Sequence, residues 1–425
     1  RQLANEGVAR IVVVTDEPDK YPADCGFAAG VTVHHRDELD RIQRELRDIK
    51  GVSALVYDQT CAAEKRRRRK RGLYPDPPKR VFINELVCEG CGDCGFKSNC
   101  LSVIPVETEF GRKRAIDQSS CNKDFSCLDG FCPSFVTVHG GQIKKRRGAE
   151  AGSDLFAGLP APAVPDVARP HNMLVTGIGG TGVITIGALV GMAAHIEGKG
   201  CTVLDMTGLA QKGGAVLSHI RVAARPEELH AVRIAAGEAD VVLGCDLVVT
   251  AGAEAVERMR TGHTRAIVNS HATPTGDFTH HPDLGFPVAE LSRLVEHAVG
   301  HNSVEFLDAT TLATRLMGDS IATNLFMLGY AWQRGLVPVS AEALARAIEL
   351  NQVAVEANQR AFAWGRLAAH DPGALERAIK PPAAPTTRLL AATLDEAIAR
   401  RVEFLTHYQD RAYARQYLDF VKQVW

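Results

Sequence analysis

The chain has 425 residues, of which 45% are hydrophobic and 23% charged. That length suits two to four domains, and the composition excludes a disordered polymer, a collagen-like fibre and a coiled coil. Lys and Arg number 49 and Asp and Glu 50, so the overall balance gives no reason to expect a nucleic-acid partner. The charge is uneven, however: between Cys61 and Glu150 there are 18 basic and 11 acidic residues. The sequence starts at Arg1 rather than Met, which reads as a piece of a longer polypeptide. Residues 1–15 lack the basic start, apolar run and cleavage site of a secretory signal, so a cytoplasmic location is expected.

Residues 9–18 (ARIVVVTDEP) form a β-branched run bounded by Asp and Pro, the pattern of a buried strand. In 37–51, Leu39, Ile42, Leu46 and Ile49 recur at helical spacing until Gly51 stops the helix. A second strand follows at 52–58. This strand–helix–strand piece suits the end of a doubly wound domain but is too short to stand alone. KRRRRKR (65–71) reads first as a solvated face and next as a docking site for an acidic protein.

Seven of the eleven cysteines fall between Cys88 and Cys132. Clustered cysteines in a chain with no secretory signal point to metal ligation rather than disulfides. Cys88-x2-Cys91-x2-Cys94 lets one tight loop offer three thiolates to three corners of a [4Fe–4S] cubane. Structural zinc favours separated pairs of cysteines instead. The fourth ligand stays open: Cys132 precedes Pro133, as the remote ferredoxin ligand does, and Cys100 lies nearer in sequence. One cluster is expected; a second would draw on Cys100, Cys121 and Cys127. Cys25, Cys201 and Cys245 read as core thiols.

Residues 148–170 carry four prolines among Ala and Gly and read as a linker. The stretch from Met173 to Ile196 is uncharged over 24 residues, long enough for a membrane span. Its six glycines, four of them in GIGGTG, favour a strand–turn–helix instead. Gly177, Gly179, Gly180 and Gly182 make the G-x-G-x-x-G form that lets backbone approach a phosphate. Asp205 stands where a ribose-binding acid belongs. TGLAQKGG follows, with Lys212, Gly213 and Gly214 exposing backbone after the next strand, which an ordinary dehydrogenase fingerprint does not predict. Apolar runs at 201–205, 240–251 and 265–269 alternate with helical stretches, the pattern of a parallel α/β sheet. Asn324 opens a helix with a packed face, His219 sits on an apolar strand, and the pairs His34–His35 and His280–His281 read as solvated loop residues. Residues 380–388 form a second linker, and the remainder is helical.

The order of CEGCGDCGFKSNC, SSCNKDFSCLDGFCPSF, GIGGTGVITIGALV and TGLAQKGG resembles the 2-oxoacid:ferredoxin oxidoreductase family, in its fused, indolepyruvate-type form. YDQTCAAEKRRRRKRG looks like the junction where that family's thiamine-diphosphate domain ends. The resemblance implies residues 1–72 as the C-terminal end of that domain and 80–147 as a ferredoxin-like 4Fe–4S domain. It implies 148–170 as the linker, 171–378 as the gamma-type α/β domain with a doubly wound parallel sheet, and 386–425 as the start of a helical C-terminal domain.

The activity so implied is oxidative decarboxylation of an aryl 2-oxoacid such as indolepyruvate. It releases an acyl-CoA and passes electrons through a 4Fe–4S cluster to ferredoxin. Thiamine diphosphate and Mg serve the full-length enzyme and CoA is co-substrate. The expected partners are ferredoxin, the remainder of the same polypeptide and further copies of the chain, with neither nucleic acid nor membrane. The family's Gly-Asp-Gly segment is not in this sequence, so the piece alone is expected to be inactive. The loop at 177–182 and 212–214 then becomes a packing surface or the substrate and CoA side. Two other readings remain: an NAD(P)- or flavin-linked oxidoreductase with a ferredoxin-like insert, and a zinc-bearing nucleic-acid module using the two basic runs.

Overall fold

The computed structural model describes residues 1–141, 154–208, 214–273, 276–281, 283–379 and 391–424. The second linker, the first six residues of the first and the basic run at 144–147 lie outside the described residues. The chain divides into two units, Arg1–Asp76 and Pro77–Trp425.

In the first unit, β1 (Arg10–Thr15) lies between β2 (Thr32–His35) and β3 (Ser53–Asp58), parallel to both. Val12 and Val14 pack against Ile42 and Leu46 of α1 (Leu39–Arg47), a pair four residues apart on one helix face. His34 and His35 belong to strand β2 rather than a loop. That strand is short and only half-buried, so it lacks the apolar run that betrays β1. The basic run forms most of α2 (Ala62–Lys70). Its Lys65 ammonium lies 2.6 Å from the Asp16 carboxylate, so this lysine fastens the helix rather than serving a free surface. Cys25 is exposed in a turn and is no core thiol.

The second unit opens with two small antiparallel pairs. β4 (Lys79–Ile83) pairs with β7 (Phe135–His139), and β5 (Val103–Thr108) with β6 (Gly111–Ile116). Helix α3 (Asp93–Ser98) follows the first cysteines. A six-stranded sheet then takes the order β13-β12-β11-β8-β10-β9, with β8 (His171–Ile178) inside. The others are β9 (Gly200–Thr207), β10 (Ala215–Ala223), β11 (Val241–Gly244), β12 (Arg265–Asn269) and β13 (Val304–Leu307).

Strands β8, β11, β12 and β13 are parallel, but β10 is antiparallel to both β8 and β9. The sheet is therefore mixed, not wholly parallel. The reason lies in the connection: the seven residues between β9 and β10 are too few for a crossover helix, so β10 must turn back. The apolar stretch 240–251 is likewise not one strand. It ends at Gly244, and the Asp246 carboxylate caps a short helix by accepting from the Val249 amide at 2.9 Å.

Alternate residues of each central strand feed opposite faces. Met173 and Val175 join one core and Leu174 the other; Leu243 and Val242 divide in the same way. The larger core is closed by α4 (Val183–Ile196) and by α6 to α9, and the smaller by α5 (Val288–Val299). Those four helices are α6 (Ala309–Met317), α7 (Thr323–Gln333), α8 (Ala341–Asn351) and α9 (Val355–His370). Helices α10 (Leu394–Tyr408) and α11 (Arg411–Val424) follow. Arg400 and Arg401 of α10 reach Glu109 at 3.4 and 3.3 Å, and Arg401 covers the Phe110 ring at 3.7 Å. Among the described residues no helix is long and apolar enough to cross a membrane.

His219 on β10 is 1% exposed. Its Nδ1 accepts from the Ile234 amide at 3.2 Å, and among the described residues Nε2 has no partner. Burial, with Arg233 and Arg258 adding, pushes its pKa from 6.5 down to about 4. The unfolded chain therefore binds a proton that the folded chain refuses. Stability should be fully present above pH 6.5 and fall as pH drops towards 4, by of order 3 kcal/mol. Urea midpoints at pH 7 and 4.5 check this: His219→Leu should lose most of the difference, and an unchanged difference would contradict it.

Candidate functional site

The first cysteine group sits on a loop whose shape glycine permits. Gly90 and Gly92 take φ of +81° and +84°. A Cβ on Gly90 would collide with the Arg112 carbonyl oxygen, so the loop lies hard against β6. The Cys88 amide donates to the Asn84 carbonyl at 2.9 Å, and the amides of Gly95 and Phe96 donate to Gly92 at 2.9 and 3.1 Å. Cys88 is buried, Cys94 half-buried and Cys91 exposed. Burial pushes the Cys94 thiol up to about 11, with the charges of Cys88 and Cys91 contributing. Those three thiols therefore share one electrostatic neighbourhood.

Cys132 arrives through the sheet. Ile83 at the end of β4 faces Phe135 at the start of β7, and the Asn84 amide donates to the Ser134 carbonyl at 2.7 Å. This register sets the Cys132–Pro133 turn beside the residues that enter the triplet loop. Cys132 is exposed, with Sγ 3.0 Å from Ser134 Oγ.

Cys100 belongs elsewhere. Burial pushes the Cys127 thiol up to about 12, and the groups that add to this are Cys100, Cys121 and Asp124. Electrostatic contact thus links Cys88 and Cys91 to Cys94, and Cys100 and Cys121 to Cys127, while Cys132 lies beside the residues that enter the triplet. None of the eleven is in a disulfide.

Among the described residues, no three His, Cys, Asp or Glu side chains converge closely enough for a single metal ion. A cubane is a larger body and holds its thiolates further apart than one ion does. Three thiols presented by one short glycine-shaped segment fit such a cluster. They fit a tetrahedral zinc ion less well.

The glycine loop closes the carboxyl end of β8. Gly180 and Gly182 take φ of +87° and +105°. A Cβ on Gly177 would strike the Val183 side chain and come 3.2 Å from Cys245 Cβ. The Gly179 amide donates to the Gly214 carbonyl at 2.8 Å, so the two glycine elements meet. Lys212 and Gly213 lie outside the described residues. Beneath the loop, the buried Asn324 side chain donates to the Thr181 carbonyl at 3.1 Å. The sequence pointed to Asn324 only as a packing residue; an amide at the first turn of an otherwise apolar helix was the available signal.

Strand order reverses between β8 and β11, and their carboxyl ends there carry the glycine loop and Asp246. Open α/β sheets bind ligands at such a switch point. Next to it, the Asn269 side chain donates to the Cys245 carbonyl at 3.1 Å and to Thr310 Oγ1 at 2.9 Å. His271 Nδ1 lies 3.1 Å from Asp308 Oδ1. Burial alone would raise the Asp308 carboxyl, but hydrogen bonds from His271 and Thr311 outweigh it and hold it at about 2. Burial holds Asp246 above its usual range.

Asp205 does not face this edge. It stands opposite Ser218, and a Cβ on Gly187 of α4 would come 3.6 Å from Asp205 Oδ1. That carboxylate oxygen is tucked between helix and sheet, so it is badly placed for a nucleotide ribose.

The cysteine segment and the α/β domain meet directly. Phe96 packs edge-on against His280 at 5.4 Å, and His280 is otherwise an exposed turn residue, as its sequence context suggests. Thr279 Oγ1 donates to Asn99 Oδ1 at 3.0 Å, and Arg112 donates to the Leu284 carbonyl at 2.8 Å. The buried Arg114 guanidinium lies over the Phe278 ring at 5.0 Å.

A family model described as pyruvate ferredoxin/flavodoxin oxidoreductase matches residues 172–368, and a family of unknown function matches 394–425. Indolepyruvate oxidoreductase subunit IorB of Pyrococcus horikoshii is 29% identical over 207 residues, 48% of this chain and 98% of that protein. Its counterpart from Thermococcus kodakarensis is 28% identical over the same length and shares of chain. Among solved structures, pyruvate oxidoreductase subunit PORC from Thermotoga maritima aligns with TM-score 0.34 and 22% identity, over 47% of this chain and 96% of that one. The 2-oxoglutarate:ferredoxin oxidoreductase from Magnetococcus marinus aligns with TM-score 0.33 and 18% identity, over 48% of this chain and 31% of that one. Residues 172–368 of this chain are a domain of the pyruvate ferredoxin/flavodoxin oxidoreductase family.

Proposed function

We propose that the chain is the electron-relay and gamma-type portion of a 2-oxoacid:ferredoxin oxidoreductase acting on indolepyruvate or a related aryl 2-oxoacid. The observation that carries this is the cysteine-triplet loop packed directly on a domain of that family, through Phe96, Asn99 and Arg112. Residues 1–72 would be the end of the thiamine-diphosphate domain, and 80–147 a ferredoxin-like insert.

Cys88, Cys91, Cys94 and Cys132 would hold a [4Fe–4S] cluster, which supplies one-electron storage and transfer when bound. The protein's own part is positional. Gly90 and Gly92 shape the loop, and Arg112 and the β4–β7 register fix it in place. Thiamine diphosphate does not fit this chain: its Gly-Asp-Gly segment is missing from the sequence. The decarboxylation itself would belong to a partner polypeptide or a preceding segment, with acyl-CoA as product and ferredoxin as acceptor. The switch-point edge, with the glycine loop held by Asn324, is the surface we assign to the substrate and CoA side. The inward-facing Asp205 disfavours the NAD(P) or flavin reading.

A stopped-flow experiment tests the relay. Anaerobic protein reduced with dithionite is mixed with oxidised ferredoxin, and its visible absorbance should recover as ferredoxin is reduced. Absence of any transfer would contradict the proposed role.

A further inference from the structure

The second cysteine group has a residue that neither the resemblance nor the family match assigns. The first run reads Cys88-x2-Cys91-x2-Cys94, then Cys100. The second reads Cys121-x2-Asp124-x2-Cys127, then Cys132–Pro133. The first three positions share one spacing, with Asp124 in the place of the middle cysteine, and the fourth cysteine follows after five residues in the first run and four in the second. In two-cluster ferredoxins, the fourth cysteine of each run ligates the other run's cluster. Applied here, that rule sends Cys132 to the first trio and Cys100 to Cys121, Asp124 and Cys127.

The structure groups the residues in the same way. Cys100, Cys121 and Asp124 are the three groups whose charges bear on Cys127. The two segments are also tied by direct bonds. The Asp117 amide donates to the Ser102 carbonyl at 2.8 Å, and Ser120 Oγ to Ser102 Oγ at 3.0 Å. Helix α3, which carries Cys94 and leads to Cys100, packs against the turn Ser126–Leu128 that carries Cys127, so the two groups are neighbours. The Lys123 amide donates to Cys121 Sγ at 3.4 Å, the kind of N–H bond that tunes a cluster sulfur. Lys123 and Phe125, either side of Asp124, both take left-handed φ, +55° and +63°. Neither is glycine, so the backbone on both sides of residue 124 is strained.

We propose that Cys100, Cys121, Cys127 and Asp124 form a second cubane site, in which the Asp124 carboxylate is the fourth ligand. A carboxylate oxygen is a harder donor than a thiolate and suits iron in a cluster less well. The iron it holds is therefore the one most easily lost: an external one-electron oxidant such as ferricyanide, itself reduced to ferrocyanide, would convert the [4Fe–4S]2+ cubane to [3Fe–4S]+ on three thiolates and release that iron as Fe2+. This inference rests on the cysteines binding iron–sulfur at all, and the test separates the two claims.

The full chain is isolated anaerobically, and iron, labile sulfide and EPR spectra are recorded before and after ferricyanide treatment. Two four-iron clusters are expected, with ferricyanide producing a three-iron signal from one of them. Asp124→Cys should suppress that signal at least tenfold while leaving both clusters in place. Asp124→Ala should give the three-iron form without added oxidant, with the first cluster's reduced signal unchanged. A three-iron signal that forms equally in wild type and Asp124→Cys would overturn the role of Asp124. A single four-iron cluster untouched by Asp124→Ala would overturn the second site while leaving the first standing. Absence of iron and sulfide altogether would overturn the underlying iron–sulfur reading and this inference with it.

Discussion

Gly365→Ala is expected to lower the stability of the α/β domain by about 3 kcal/mol, the upper end of what overpacking costs. In an exposed helix the same change would gain roughly 1 kcal/mol, because glycine is a poor helix former. Here packing reverses the sign. A Cβ on Gly365 would overlap the Phe326 carbonyl oxygen and come 2.8 Å from the Tyr330 amide nitrogen. On the facing helix, a Cβ on Gly329 would overlap the Phe362 carbonyl and come 3.0 Å from Phe362 Cα. Helices α7 and α9 therefore cross backbone to backbone with no room for a methyl group. The obstacles are main-chain atoms, which cannot swing aside as a side-chain tip can. The crossing also carries Phe326, Leu328 and Trp364, all fully buried in the larger core. Thermal unfolding should show a midpoint lower by about 6–12 °C. An unchanged midpoint would contradict the packing described.

Cys94→Ser is expected to remove or convert the first cluster while leaving the fold of the α/β domain intact. Cys94 is the partly buried member of the triplet, and its neighbours Cys88 and Cys91 come from the same loop. Serine keeps the shape but replaces a soft sulfur by a hard oxygen that binds cluster iron poorly. The reduced variant should lose the first cluster's EPR signal, and its iron content should fall. Cys201→Ser is the control: that thiol lies half-buried on β9 and burial alone pushes it up to about 11. Its spectrum should match wild type. Loss in both variants would point to general instability rather than to ligation.

Much of this was legible in the residues themselves. The β-branched run of β1, the apolar runs that open β11 and β12, and the strand–glycine–helix sequence at 171–196 follow from period and punctuation. What escaped was non-local. The antiparallel β10 depends on how few residues separate it from β9, which no apolar pattern reports. Strand β2 was hidden because an edge strand with two histidines carries little hydrophobic signal.

The sites divide in the same way. The cysteine triplet announces itself by spacing alone. The partition of the remaining cysteines needed the pairing of β4 with β7, which sets Cys132 beside the triplet loop, and the bonds from Ser102 to Asp117 and Ser120. Asn324 looked like an ordinary helix residue until the Thr181 carbonyl appeared within reach of its amide. Asp205, at the expected distance from the glycine loop, was misleading because sequence spacing cannot say which face of a strand a side chain leaves by.

Iron and acid-labile sulfide content of the anaerobically purified chain decides whether its cysteines hold an iron–sulfur cluster. The expected protein is brown and contains iron and labile sulfide in equal amounts, and its visible absorbance bleaches with dithionite. A colourless protein carrying zinc and no labile sulfide would contradict it.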